Sequence, residues 1–85
     1  MKFTIIIPKS VQKQLDKLPQ EIYEKIKSKI LELENDPRPP GIKKLVGRDE
    51  YRLRVGQYRL IYQIFENKCV IILVRCQHRR DVYRK

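Results

Sequence analysis

The segment 51–62 constrains the fold most strongly, because its pattern predicts a β-hairpin with a fixed register. Apolar and polar residues alternate over its first five positions, as in a strand with one buried face. Gly56-Gln57 suits a two-residue turn, because glycine tolerates the positive φ that hairpin turns need. With this turn, Arg54 lies directly opposite Arg59, and Arg52 shares their face two residues along the strand.

The charge of the chain predicts a polyanionic partner. Like charges placed opposite each other destabilise a sheet, so the predicted arginine cluster has a cost that binding would offset. The 85 residues contain 20 Lys and Arg against 10 Asp and Glu, a formal net charge of +10. This balance indicates nucleic acid, an acidic protein or, least well, an anionic membrane surface.

The sequence predicts a cytoplasmic protein with no metal site. No apolar run approaches the roughly 20 residues that span a bilayer, and segment 1–8 is too short for a signal peptide. Two cysteines and one histidine offer no zinc-site spacing. If Cys69 and Cys76 lie on one regular strand, they point to opposite faces and cannot form a disulfide.

The elements are predicted in the order β-α-α-β-β-β. A first strand over 3–7 precedes a short helix that Ser10 caps and Pro19 stops. Ile22, Ile26, Ile30 and Leu33 recur on one face of a second helix over 20–34. A turn-rich connector at 38–41 and an ambiguous segment at 42–48 lead to the hairpin. After a two-residue turn at Glu66-Asn67, an apolar run over 69–76 predicts a central strand.

These elements predict a single α+β domain over residues 1–85. A small antiparallel sheet with the N-terminal helical hairpin packed on one face is the economical way to bury the apolar residues. The side covered by the helices is predicted to carry Tyr51, Leu53, Val55, Tyr58, Leu60 and Tyr62. The three arginines then occupy the opposite face of the sheet.

Three segments carry a family resemblance: Lys44-Leu45-Val46-Gly47, the hairpin segment 51–62 and the tail His78-Arg79-Arg80-Asp81-Val82-Tyr83. Together they resemble the RelE/ParE toxin superfamily, and more closely its RelE branch. The resemblance implies the toxin of a type II toxin–antitoxin system, which cleaves messenger RNA in the ribosomal A site. It also implies an acidic RelB-like antitoxin, and a reaction without metal or cofactor in which the ribose 2′-hydroxyl attacks the adjacent phosphorus.

The resemblance carries over to individual residues. Two basic residues of the first hairpin strand, often lysines in the family, match Arg52 and Arg54, and the arginine of the second strand matches Arg59. The C-terminal basic pair matches His78 and Arg79, and the C-terminal tyrosine matches Tyr83. Lys44, Arg48 and Arg80 are further expected RNA contacts. Since the sequence ends two residues after Tyr83, no long C-terminal helix is expected.

The chemistry of these side chains suggests their roles. Guanidinium groups offer a bidentate fork to phosphate oxygens, so Arg54 and Arg59 suit stabilisation of a charged phosphorane. Arginine is a poor general base, since its pKa exceeds about 12. Histidine is the residue type suited to proton transfer near neutral pH, so His78 is the candidate for this role. Strand parity places it on the face of Arg59 if the preceding turn has two residues.

Simpler roles and other functions stay open at this point. The three arginines could simply be solvated side chains on a strand face, and His78 could lie at a strand end without a role. Arg79 and Arg80 could belong to a charged tail. Tyr83 could pack the tail onto the sheet instead of stacking on a base. A ParE-like inhibitor of DNA gyrase would share the scaffold without a nucleolytic cluster. A basic RNA-binding module without catalysis is the third reading.

Overall fold

Two helices pack on one face of a five-stranded sheet in the computed structural model, which describes residues 2–45 and 49–78. The order is β1 (Thr4–Ile6), α1 (Lys9–Asp16), α2 (Gln20–Leu33), β2 (Lys43–Lys44), β3 (Glu50–Val55), β4 (Tyr58–Phe65) and β5 (Val70–His78), with a 3₁₀ turn at Glu66–Lys68 between β4 and β5. The predicted α+β fold with a helical hairpin on one face of a sheet is confirmed.

Prolines, rather than side-chain caps, mark the starts of both helices. The carbonyl of Pro8 accepts from the backbone N–H of Gln12 at 2.9 Å, so α1 begins one residue before the predicted cap at Ser10, which is wrong. Pro19 ends the connection between the helices, and its carbonyl accepts from Tyr23 N–H at 2.9 Å. Proline suits these positions because its missing N–H has no partner at a helix start.

The helices bury the faces that their periodicity predicts. Val11 and Leu15 of α1 and Ile26, Ile30 and Leu33 of α2 belong to the core. Complete burial of such a side chain stabilises a fold by about 1.5–3 kcal/mol. These contacts hold the helical hairpin against the sheet, and none of the described residues forms a helix on the other sheet face.

The sheet is mixed, with the strand order β1-β5-β4-β3-β2. β3, β4 and β5 are antiparallel neighbours, as predicted, whereas β1 runs parallel to β5 with Ile5 opposite Ile71. The parallel pairing arises because the two helices carry the chain away from β1 and back before the hairpin begins. β5 is therefore a central strand, as its apolar run predicts, and Ile71 and Leu73 are fully buried.

The hairpin has the predicted register. Leu53 lies opposite Leu60, Arg54 opposite Arg59, and Gly56 takes φ 60° in the turn. All six residues predicted to face the helices belong to the core or pack against it: Tyr51, Leu53, Val55, Tyr58, Leu60 and Tyr62. The sidedness of the hairpin is thereby confirmed.

The pairing of β4 with β5 departs from the prediction at two points. Four residues, rather than two, separate Phe65 from Val70, and they include the 3₁₀ turn and Cys69 at φ 52°. A β-bulge then shifts the register, because Tyr62 pairs with Leu73 while Ile61 pairs with Arg75. Two added turn residues preserve which face a side chain occupies, but one bulged residue reverses it.

Candidate nucleic-acid interface

Three guanidinium groups occupy the sheet face opposite the helices, and we call Arg52, Arg54 and Arg59 the arginine face. Arg54 and Arg59 are directly opposed, so their Cβ atoms lie about 4.5–5.5 Å apart. Arg54 is exposed, and its Nε donates to the carbonyl of Gly56 at 3.4 Å. The hairpin register therefore brings these three predicted site residues together.

The arginine face is extended by two cations that sequence reasoning did not single out. Lys43 of β2 lies opposite Arg52, and Arg75 of β5 lies opposite Ile61 on the same face. Gln77, opposite Arg59, adds a neutral amide. Lys43 was not predictable because β2 is only two residues long. Two residues show no alternation of apolar and polar side chains, so the sequence does not indicate which face of the sheet Lys43 occupies.

A carboxylate on the same face balances part of this charge. Arg75 Nη2 lies 3.8 Å from Glu50 Oε1, and the ion pair crosses β4. Beneath these side chains Ile61 is only 4% exposed, although it faces away from the helices. The long side chains over β4 thus shield an apolar residue and keep their charged ends at the surface.

His78 does not share the face of Arg59, so that part of the sequence prediction is wrong. Its strand partner is Tyr58, and the two rings meet edge to face at 4.9 Å with an interplanar angle of 88°. The bulge in β5 is the cause, since it reverses the faces of the residues that follow it. The predicted role of His78 in proton transfer stays a prediction.

The other predicted residues divide into two groups. Lys44 is exposed but lies opposite Tyr51, on the face away from the arginines. Arg48, Arg79, Arg80 and Tyr83 lie outside the described residues.

The connector before β2 is fastened to the sheet by two buried or partly buried tyrosines. Tyr62 Oη donates to the carbonyl of Pro37 at 2.9 Å, and burial raises the pKa of Tyr62. Arg38 Nη2 lies 2.6 Å from Glu66 Oε1 and 3.3 Å from Tyr51 Oη, with its guanidinium 5.3 Å from the Tyr51 ring centre. The hydrogen bonds to Tyr51 and Glu66 raise the pKa of Arg38. These contacts fix the chain that leads into β2.

Within the described part of the chain no helix covers the arginine face, and an apolar groove lies elsewhere. A groove of about 230 Å³ runs between β1 and the helices, with Ile5, Ile7 and Leu31 among its lining residues. Within residues 2–45 and 49–78, no three His, Cys, Asp or Glu side chains form a group that would hold a metal ion. No helix in these ranges is long and apolar enough to cross a membrane. Both cysteines are free thiols, although they do not lie on one regular strand as the prediction assumed, because Cys69 precedes β5 and a bulge interrupts that strand.

Comparison with known proteins gives consistent similarities over nearly the whole chain. The family model described as ParE toxin of type II toxin–antitoxin system, parDE, matches residues 5–83. A Methanocaldococcus jannaschii protein named as a toxin, RelE1, is 36% identical in an alignment of 88 positions that covers 99% of this chain and 98% of its own. Toxin RelG of Mycobacterium tuberculosis is 28% identical in an alignment of 89 positions that covers 100% of each chain. A chain of the archaeal RelE–RelB complex from Pyrococcus horikoshii superposes with a TM-score of 0.85 at 33% identity, covering 93% of this chain and 97% of that one.

Proposed function

Since the chain belongs to the ParE toxin family of type II toxin–antitoxin systems, within the RelE/ParE superfamily, we propose that it is a ribosome-dependent endoribonuclease of the RelE type. It would cleave messenger RNA in the A site of cytoplasmic ribosomes and so inhibit translation. The observation that carries this proposal is the like-charged pair Arg54–Arg59 on the sheet face opposite the helices. A toxin that acts without binding phosphate has no need of this costly pair.

In the proposed reaction, the ribose 2′-oxygen attacks the adjacent phosphorus and the 5′-oxygen of the next nucleotide leaves. A base takes the 2′-hydroxyl proton, an acid protonates the leaving 5′-oxygen, and a 2′,3′-cyclic phosphate remains. Arg54 and Arg59 would donate hydrogen bonds to the non-bridging oxygens of the scissile phosphate and stabilise the charge that develops on the phosphorane. Arg52 would bind a neighbouring phosphate. No step requires a metal ion or a cofactor.

The roles of the C-terminal residues are proposed from the sequence match to the family. His78 and Arg79 match the basic pair of the family, and Tyr83 matches its C-terminal tyrosine. In the proposal Arg79 stabilises charge as the leaving group departs, and Tyr83 stacks on a base of the message, as aromatic side chains do with single-stranded RNA. Arg48 and Arg80 would contact phosphates of the message. Lys44 lies opposite Tyr51 on the other face of the sheet, so in this proposal it would contact ribosomal RNA instead.

A RelB-like antitoxin is the proposed neutralising partner. The Pyrococcus horikoshii protein is a RelE–RelB complex, and so is the Methanococcus jannaschii protein, whose matching chain is 32% identical with a TM-score of 0.75. An acidic antitoxin segment would match the formal charge of +10 on this chain. It would cover the arginine face or displace the C-terminal tail.

Primer extension on a defined message, with and without ribosomes, tests the proposed activity. The wild-type protein is expected to cut only on ribosomes. Loss of one charged hydrogen-bond partner of the scissile phosphate in Arg59→Ala should lower the cleavage rate by about 100-fold or more. Lys13→Ala is the matched control, because Lys13 is exposed on α1, which covers the other sheet face. His78→Ala, run alongside, tests the predicted proton transfer.

Primer extension and a second assay together discriminate the competing functions. The description of the matching family model as ParE keeps gyrase inhibition as a second candidate. A DNA supercoiling assay tests it directly, and inhibition of gyrase without any RNA cleavage would replace the proposed function. Full cleavage by a folded Arg59→Ala variant would remove Arg59 from the mechanism. RNA binding without either activity would leave a non-catalytic RNA-binding module.

A further inference from the structure

A second like-charged pair lies beside the arginine face. Lys43 is directly opposite Arg52 across the β2–β3 ladder, so the two side chains point to the same face of the sheet. Lys43 is exposed and forms no ion pair with any described residue. Two adjacent strand pairs thus place cations against cations, which adds to the cost already present at Arg54 and Arg59.

The two pairs have the spacing of consecutive binding positions. Arg52 and Arg54 are two residues apart on β3, and the pairs lie on opposite sides of this strand. Two residues of rise combined with one strand spacing separate the centres of the pairs by about 8 Å. This distance is comparable to the step between neighbouring phosphates in an extended single strand.

The position of Lys43 is set by anchored chain on both sides. The connector before it is held by the hydrogen bond from Tyr62 to Pro37 and by the ion pair of Arg38 with Glu66. After it, the backbone N–H of Leu45 donates to the carbonyl of Glu50 at 2.9 Å. The short strand is therefore held against β3, and the register that separates Lys43 from Lys44 is fixed at both ends.

We propose that Lys43 and Arg52 together bind the RNA phosphate next to the one held by Arg54 and Arg59. Lys43 is then an RNA-binding residue that positions the message so that the scissile bond meets the second pair. The ammonium group acts as a compact cation with three donors, and its role is charge and hydrogen bonding rather than proton transfer. This inference rests on the proposed nuclease function only for the identity of the scissile phosphate.

Two assays test the inference with one set of variants. The first measures binding to a short labelled single-stranded RNA, without ribosomes, as a function of salt concentration. Each lost phosphate contact should reduce the slope of log K against log salt by about 0.7. Lys43→Ala should show this reduction. Lys13→Ala should not, although it removes the same charge, because it lies on α1 over the other sheet face.

The second assay measures ribosome-dependent cleavage by the same proteins. Lys43→Ala should lower the cleavage rate by about 10- to 100-fold, the usual effect of one hydrogen bond to a charged group. Lys43→Arg should restore both the salt slope and cleavage to within about threefold of the wild type, since it keeps the charge and the donors. Circular dichroism on every variant establishes that the fold is retained.

Several outcomes would overturn the inference. An unchanged salt slope in Lys43→Ala, or a larger reduction in Lys44→Ala than in Lys43→Ala, would show that the register does not decide which lysine binds RNA. A Lys43→Arg variant as inactive as Lys43→Ala would contradict a role as a phosphate contact. If the wild-type protein cut no message, the proposed function would fail, but the salt slopes would still decide the role of Lys43.

Discussion

At the scale of single residues, Cys76 is a titratable group inside the apolar layer. It lies opposite Leu60 on the helix-covered face of β5, and its backbone N–H donates to Gln14 Oε1 at 2.8 Å. Burial raises the pKa of the Cys76 thiol from 9.0 to about 11. The folded state therefore holds a proton that the unfolded chain releases at a lower pH.

The stability of the protein should fall as the pH rises from about 9 to about 11. A pKa raised by folding gives a contribution that is complete below the unfolded pKa and is lost as the pH rises through the folded pKa. We expect the free energy of unfolding to fall by about 1–2 kcal/mol because of Cys76, since residual solvent access reduces the full linkage value. Urea unfolding of the wild type and of Cys76→Ala at several pH values measures this loss of stability. Equal pH slopes in the two proteins would contradict the expectation.

One residue also explains why part of the site was not predictable. The bulge lies where β5 passes from Leu73 to Arg75, so Val74 has no counterpart on β4. Val74 ends the unbroken apolar run 69–74, so no alternation before it reveals an extra residue. Parity counting from the turn therefore put His78 on the wrong face, and only the pairing itself corrects it.

At the scale of elements, the β3–β4 hairpin contains a like-charged pair that lowers its stability. Arg54 and Arg59 lie directly opposite each other on the sheet face away from the helices. Like charges directly opposite each other in a sheet are unfavourable by about 0.2–1 kcal/mol. The hairpin should therefore become more stable when one of them is neutralised.

Arg54→Gln is expected to raise the free energy of unfolding by about 0.2–1 kcal/mol while lowering RNA cleavage. Arg38→Gln is the matched control, because Arg38 has favourable partners in Glu66 and Tyr51 and its loss should be destabilising. Denaturant unfolding at low salt gives both values. If the two substitutions changed the free energy of unfolding in the same direction, the destabilising effect of the Arg54–Arg59 pair would be contradicted.

The elements differ in how far local sequence determines them. The helices and the hairpin follow from periodicity and from one glycine turn, so their faces and the register of Arg54 with Arg59 were predictable. The strand β2 was not, because two residues carry no periodicity and its pairing depends on a connector fixed by Arg38 and Tyr62. Lys43 was missed for this reason, and the parallel pairing of β1 with β5 likewise depends on the whole chain.

At the scale of the whole molecule, the two sheet faces have opposite characters. One is apolar and covered by helices, and the other carries a cluster of five cations, Lys43, Arg52, Arg54, Arg59 and Arg75. An asymmetric field of this kind steers anionic partners towards one side of a molecule. It should affect the rate of antitoxin binding more than the lifetime of the complex.

The association rate constant with a RelB-like antitoxin is expected to fall steeply as salt rises, because ions screen the attraction beyond about 8–10 Å. Stopped-flow measurements from about 0.05 to 0.3 M NaCl, a range that spans this screening length, test it. A variant with Arg52→Gln and Arg54→Gln should show a shallower dependence than Lys13→Ala. An association rate independent of salt would exclude electrostatic steering.

The strand order has a consequence for when the fold is complete during synthesis. β5 lies between β1 and β4, yet it is the last of the strands within residues 2–45 and 49–78. Until it is translated, the first strand with its helices and the β2–β4 segment have no shared ladder, and pairing of β1 with β5 closes a long loop that slows folding. The sheet that displays the cations therefore assembles only when synthesis has passed residue 78. The ribosome that makes the protein must therefore complete β5 before the folded sheet exists.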